Sequence, residues 1–222
     1  MDHDWKFARR RERLVDSLRK KGIKDERVLA AIGRVSRHRF VDQALVSRAY
    51  QDEALPIGLD QTISQPFTVA YQTAMALGDL PPGSRILEVG TGSGYQAAVI
   101  CELGMDLCSV ERIDGLYRRT RELLTSLGYR LKMRFGDGTE GWKAYAPYDA
   151  IIVTAGAMVI PDALLQQLRE PEPGKQGGVL VIPVGGSGGQ TMKRIVRTGA
   201  NDFDTTELDE FRFVPLISKR HG

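Results

Sequence analysis

Apolar residues first recur at helical spacing. Phe7, Leu14, Val15 and Leu18 stand among charges over residues 5–21, which predicts an amphipathic helix ended by Gly22. Asp25 is placed to cap a second helix holding Val28, Leu29 and Ile32. A polar stretch follows to about residue 50. Residues 54–66 have turn formers at both ends and read as an ordered loop or short extended piece, and 68–77 read as a helix. After the break at Leu80-Pro81-Pro82-Gly83 the pattern changes. Short apolar strands are expected at 85–89, 107–110, 132–135, 148–154 and 179–184, with two more at 193–197 and 210–215. Helices of about ten residues fall between them, at 95–103, 114–127 and 161–168. Strands alternating with helices argue for βαβ units and a parallel sheet. Such sheets bind ligands beyond the carboxyl ends of their strands. The Pro/Gly-rich run 169–178 and the glycine run 185–189 read as surface loops, the second at a strand's carboxyl end.

Three features carry chemistry. Leu87-Glu88-Val89-Gly90-Thr91-Gly92-Ser93-Gly94-Tyr95 is a strand, a glycine turn and a helix start. Glycine allows a tight turn and close approach of backbone to ligand, and the helix start offers free amides. A dinucleotide site would want its third glycine one residue later, where Tyr95 stands, so a ligand without a pyrophosphate is favoured. Glu111 ends the next strand, where an acid can accept both hydroxyls of a ribose. Gly136-Asp137-Gly138 follows the third strand, where Asp137 can accept from an exocyclic amine and the glycines admit a flat ring. Taken singly, each also reads as an ordinary turn or strand end. Together they describe an adenosine pocket, and S-adenosylmethionine better than a nicotinamide cofactor.

The acceptor is read by elimination. Cys101 lies mid-helix and Cys108 on a strand, so both read as core residues rather than nucleophiles. The histidines are His3, His38 and His221. Two are near the ends, and His38 sits in a basic stretch that reads as surface. No cluster has metal-ligand spacing. With no base in view, an acceptor already ionised at neutral pH fits, and a carboxylate is one.

Composition bounds the rest. The 222 residues are 42% hydrophobic and 27% charged, enough apolar side chain for one large core. No run reaches the roughly 18 apolar residues of a membrane span, and the first residues do not resemble a secretory signal. Two cysteines support neither a disulfide framework nor a zinc site, which points to a reducing cytoplasm. The net charge is +3. Its one cluster, Arg9, Arg10, Arg11, Arg13, Arg19, Lys20 and Lys21, reads as a solvated face rather than a nucleic-acid footprint.

These residues resemble a known family. Thr62-Ile63-Ser64-Gln65-Pro66, the glycine motif, Ser109-Val110-Glu111-Arg112, Gly136-Asp137-Gly138, 149–155, 180–185 and Phe213-Val214-Pro215-Leu216 look like protein-L-isoaspartate (D-aspartate) O-methyltransferase. The resemblance implies a class I S-adenosylmethionine-dependent (Rossmann-like) fold. That fold is a doubly wound, mostly parallel seven-stranded α/β sheet, here with an N-terminal helical arm over 1–50 and a methyltransferase domain over 51–222. It implies methylation of the α-carboxyl of isoaspartyl residues in damaged proteins, by a cytoplasmic monomer with no nucleic-acid or membrane partner. Ser64 would be the active-site residue. Glu88, Gly90, Thr91, Gly92, Ser93, Gly94, Glu111, Arg112, Asp137 and Gly138 would hold the cofactor, and Ile57, Thr62 and Val214 would line a substrate cleft. Without the resemblance, Ser64 would read as the cap of the following helix. The rival readings are an RNA methyltransferase and a cofactor-binding module without catalysis. Ser36, where the family usually has proline, and the run 169–178 depart from the pattern outside these motifs.

Overall fold

The structure, a computed structural model, describes residues 5–186 and 188–218. His3, His221 and Ser187 of the glycine run lie outside the described residues. Two helices open the chain, α1 (Trp5–Lys20) and α2 (Glu26–Arg34). Asp25 caps α2 as its sequence position predicts, accepting from the amides of Arg27 and Val28. Residues 54–66 form a hairpin, β1 (Leu55–Gly58) and β2 (Gln61–Ile63), with Leu59 and Asp60 both at positive φ in its turn. Next come α3 (Pro66–Leu77), β3 (Arg85–Val89), α4 (Tyr95–Glu102), β4 (Asp106–Glu111), α5 (Asp114–Ser126) and β5 (Lys132–Phe135). The chain ends in β6 (Ala150–Val153), α6 (Asp162–Leu165), β7 (Val179–Val184), β8 (Gln190–Arg197) and β9 (Phe203–Phe211).

The last seven strands form one sheet in the order β5-β4-β3-β6-β7-β8-β9. The first five are mutually parallel, and β8 and β9 close the edge antiparallel. This is the doubly wound class I methyltransferase architecture. Both faces are covered, and so the central strands are apolar on both sides. Ile86, Leu107, Ile152 and Val181 point into a core shared with α1 to α5, whereas Leu87, Cys108, Ile151 and Leu180 point into a second core with Leu164, Leu168 and Tyr148. Leu14 and Leu18 of α1 belong to the first core, each stabilising the docked helix by about 1.5–3 kcal/mol. Strand order reverses between β3 and β6, so the crevice lies at their carboxyl ends.

Four expectations are corrected. His38 is buried, not on the surface: a 3₁₀ turn over Arg37–Phe40 drives it inward, its Nδ1 lies 2.7 Å from the Tyr50 hydroxyl, and Phe7 stacks on its ring. The last strand is 203–211 rather than 210–215, because Phe203 to Glu210 pair along β8. α6 is one turn instead of eight residues. Its chain turns away so that the Gln167 carbonyl and the Arg169 amide can bond Tyr148, beside the bridge between Tyr148 and Leu168. The run 169–178 is exposed only over its tip, since Gly177 and Gly178 are buried and Arg169 pairs with Asp149 at 2.6 Å.

Candidate active site

The crevice is lined by parts of four regions that are far apart in sequence. They are 61–64 at the end of the hairpin, 89–96 around the glycine turn, 110–113 after β4, and 214–217, with Gly138, Thr154 and Ala155 between them.

The glycine turn is shaped from both sides. Gly90 has φ 95, and a Cβ there would press into Thr154 Oγ1, which itself donates to the Gly90 carbonyl at 2.6 Å. Any larger residue therefore meets backbone strain and a clash at once. Glu111 Oε2 accepts from the Gly92 amide and Oε1 from the Ile113 amide, both at 2.8 Å. Each oxygen keeps a further lone pair for a ligand hydroxyl. The amides of Thr91 and Ser93 have no partner among the described residues. Gly138 lets the chain after β5 close on Val89, where a Cβ would not fit. Free amides, a carboxylate with spare acceptor capacity and two places that only glycine fills suit the adenosine and amino-acid parts of S-adenosylmethionine.

The other predicted cofactor residues sit as follows. Thr91, Gly92, Ser93, Glu111 and the exposed Arg112 line the crevice. Glu88 does not: it is fully buried beneath the turn, where its Oε2 accepts from Ser109 Oγ at 2.5 Å, and that hydroxyl lies 2.6 Å from Thr91 Oγ1. Its Oε1 has no partner, and burial pushes its pKa up to about 8 against the pull of the Ser109 hydrogen bond. Gly94 faces Thr120 and Leu124 behind the turn. Asp137 Oδ1 accepts from the Thr139 amide and hydroxyl, capping a short turn, and it is the neighbouring Gly138 that reaches the crevice wall.

Ser64, Thr62 and Val214 line the same crevice from other segments, which form its second wall. The capping alternative does not hold. The cap position of α3 belongs to Gln65, and Asp52, from a remote turn, accepts from the Phe67 amide at 2.7 Å. The Ser64 hydroxyl has no partner among the described residues. Val214 is in place because the final segment lies along Gly156: its carbonyl accepts from the Gly156 amide at 2.8 Å, and the Leu216 amide donates back at 2.7 Å. Ile57 turns away from the crevice, packed under the glycine turn, and its carbonyl accepts from Arg119. The lining holds no Lys or His, one acid and one arginine. Among the described residues no group of three or more His, Cys, Asp or Glu is arranged to hold a metal, and no helix is long and apolar enough to cross a membrane.

Sequence reasoning missed Tyr95, Gln96, Thr154 and Ala155 as lining residues. Thr154 and Ala155 follow β6, where the rule that ligands sit beyond strand carboxyl ends places a site. Gln96 carried no signal of its own.

Residues 9–221 match the family model described as protein-L-isoaspartate(D-aspartate) O-methyltransferase. A protein-L-isoaspartate O-methyltransferase of Salinibacter ruber is 61% identical over 99% of this chain and 96% of its own length. One from Christiangramia forsetii is 50% identical over the whole of both chains. Among solved structures, a protein-L-isoaspartate O-methyltransferase superposes with a TM-score of 0.81 at 27% identity, over 92% of this chain, which spans 65% of that longer one. A Plasmodium falciparum relative, solved with S-adenosyl-L-homocysteine, shares the fold with a TM-score of 0.78 at 24% identity, over 93% of this chain and 98% of its own. Glycine turn, strand-end acid and Thr62–Pro66 segment thus stand within one continuous match, and the chain belongs to the protein-L-isoaspartate (D-aspartate) O-methyltransferase family.

Proposed function

We propose that this crevice methylates the α-carboxyl of L-isoaspartyl residues in damaged proteins and peptides, with Ser64 holding the acceptor and the glycine turn and Glu111 holding the cofactor. S-adenosylmethionine, when bound, supplies an electrophilic methyl group. The observation that carries the reading is the unpartnered Ser64 hydroxyl in the crevice that also holds the glycine turn, whose lining has no Lys or His and whose one carboxylate, Glu111, is engaged with backbone amides. A carboxylate acceptor is ionised at neutral pH and needs no base. What the chain supplies is alignment, which is worth roughly 7–11 kcal/mol in well-oriented reactions. Ser64 Oγ donates to one carboxylate oxygen and leaves the other directed at the methyl group. The apolar side chains of Ile63, Val69, Val214 and Leu216 around it exclude water from two charges that cancel as they meet. The ester then closes to a succinimide as the following backbone amide nitrogen displaces methanol, and hydrolysis of that ring returns part of the residue to aspartate.

In this reading residues 51–222 are the methyltransferase unit and 1–50 an arm against it. The enzyme works as a cytoplasmic monomer with no nucleic-acid partner. Three arginines of the arm are engaged within the chain: Arg19 with Asp16 and Glu26, Arg11 with Ser36, and Arg10 with the Ser47 carbonyl. The test is incubation with labelled cofactor and paired peptides carrying aspartate or isoaspartate, with RNA as a third acceptor. Base-labile ester on the isoaspartyl peptide alone is expected. Label in RNA, or binding without transfer to any acceptor, would overturn the reading. Ser64→Ala should lower kcat about 100-fold, the scale of a lost alignment of the reacting groups. It should leave S-adenosylhomocysteine affinity within twofold. Unchanged turnover would remove Ser64 from the mechanism.

A further inference from the structure

Arg37 is completely buried, a rare place for a guanidinium. No carboxylate bonds it. The Glu53 carboxylate is taken by Arg48, and that of Asp52 by Lys21 and the Phe67 amide. Instead, three carbonyls converge on it, two from the turn over 49–53 and one from the loop after β2. Nη1 donates to Ala49 at 2.6 Å, and Nη2 donates to Glu53 at 3.0 Å and to Ser64 at 3.1 Å. Its Nε has no partner. The guanidinium carbon Cζ lies over the ring of Tyr95, 5.4 Å from the centroid, and Tyr95 is the first residue of α4, directly after the glycine turn. A charge buried with no carboxylate bonded to it is costly. Its planar fork does what a single point donor cannot, spanning several acceptors while stacking on an aromatic face.

We propose that Arg37 is a positioning residue for methyl transfer: its guanidinium holds the Ser64 peptide at a fixed place against the helix that carries the glycine turn. The inference rests on the reading of Ser64 as the acceptor-binding hydroxyl. The side chain joins the two walls of the crevice from behind, through the Ser64 carbonyl on one side and the Tyr95 ring on the other. It touches neither substrate nor cofactor. Its action is on the angle and distance from which the Ser64 hydroxyl meets a carboxylate, and positional errors of about 1 Å are enough to cost a large part of an alignment effect.

The experiment is a double-mutant cycle between Arg37→Lys and Ser64→Ala, with sites counted by S-adenosylhomocysteine titration so that a lower folded fraction does not register. Arg37→Lys is expected to lower kcat per binding site at least tenfold while S-adenosylhomocysteine affinity stays within twofold. In the Ser64→Ala background the same change should cost less than twofold more. A lower Tm with unchanged turnover per binding site would mean a role in stability only and overturn the proposal. So would multiplicative effects, since Arg37 would then act by another route. Impaired Ser64→Ala beside normal Arg37→Lys sinks this inference alone, whereas normal turnover in Ser64→Ala sinks the Ser64 reading and this inference with it. Should Arg37→Lys not fold, Arg37→Gln takes its place, removing the buried charge and leaving one amide for a single carbonyl, with the same outcomes deciding.

Discussion

The two walls of the crevice are built in different ways. On the cofactor side the glycine turn is pinned from strands next to it. Glu111 of β4 holds Gly92, and Thr154 after β6 holds Gly90. The spacing of glycines and acids along consecutive strands is therefore also the map of the wall. On the acceptor side, Ser64 hangs from side chains distant in sequence and invisible as a motif, Arg37 on its carbonyl and Asp52 at the head of the next helix. A wall made by neighbouring strands is rigid by topology. A wall made by remote tethers is placed by single side chains, and it is there that one substitution can shift the acceptor without disturbing the sheet.

This division predicts that damage to the cofactor wall appears in cofactor affinity or stability, and damage to the acceptor wall in turnover. The largest effect is expected from Gly90→Ala. Positive φ and the contact with Thr154 together should cost on the order of 3 kcal/mol or more, taken from stability if the turn keeps its shape and from S-adenosylhomocysteine affinity if it shifts, read by denaturant titration and calorimetry. Full affinity with a collapsed kcat would break the comparison.

Glu88→Gln sharpens it from beneath the turn. The buried carboxyl keeps its proton to about pH 8, against an ordinary value of 4.5, so between those values the folded state holds a proton that the unfolded chain has released. Its contribution is thus fully present below pH 4.5 and is lost as pH rises toward 8. The neutral amide escapes this loss. Its stability advantage should be near zero at pH 4.5 and about 3 kcal/mol at pH 7. Denaturant midpoints of variant and wild type across that range measure it, and a gap that fails to widen would show that Glu88 is ionised in the folded protein.

The smallest effect belongs to Glu111→Gln, which keeps the shape and removes the charge. It should weaken cofactor binding by about 1–3 kcal/mol while kcat at saturating cofactor is nearly kept. Unaltered affinity would take the ribose away from Glu111.

How far the sequence could be read follows the same division. Alternating apolar strands and helices from Arg85 onward gave the sheet and its carboxyl-end crevice, because parallel strands buried on both faces leave a strong pattern. Glu111, Gly90 and Gly138 were legible for the same reason. Arg37 and His38 were not. In a run of polar residues, Arg37-His38-Arg39-Phe40 reads as solvated, and only the 3₁₀ turn that it forms puts Arg37, His38 and Phe40 inward while Arg39 stays exposed. The buried place of Glu88 was hidden too: a strand-end acid looks the same whether it faces a ligand or lies one layer below it. The final strand was misplaced because residues 203–211 carry few apolar side chains. That edge strand is held by ladder bonds to β8 and only lightly by burial.

One consequence follows from the way residues 214–217 lie across Gly156. The segment that completes the crevice leaves the ribosome more than a hundred residues after the glycine turn that shares it. A chain still being translated, or one clipped a few residues short of position 214, carries a nearly whole sheet with one side of its reaction chamber open to water. Catalysis in this protein is therefore tied to translation having passed residues 214–217, and that short segment is a more exacting place for truncation than its distance from the glycine turn in sequence suggests.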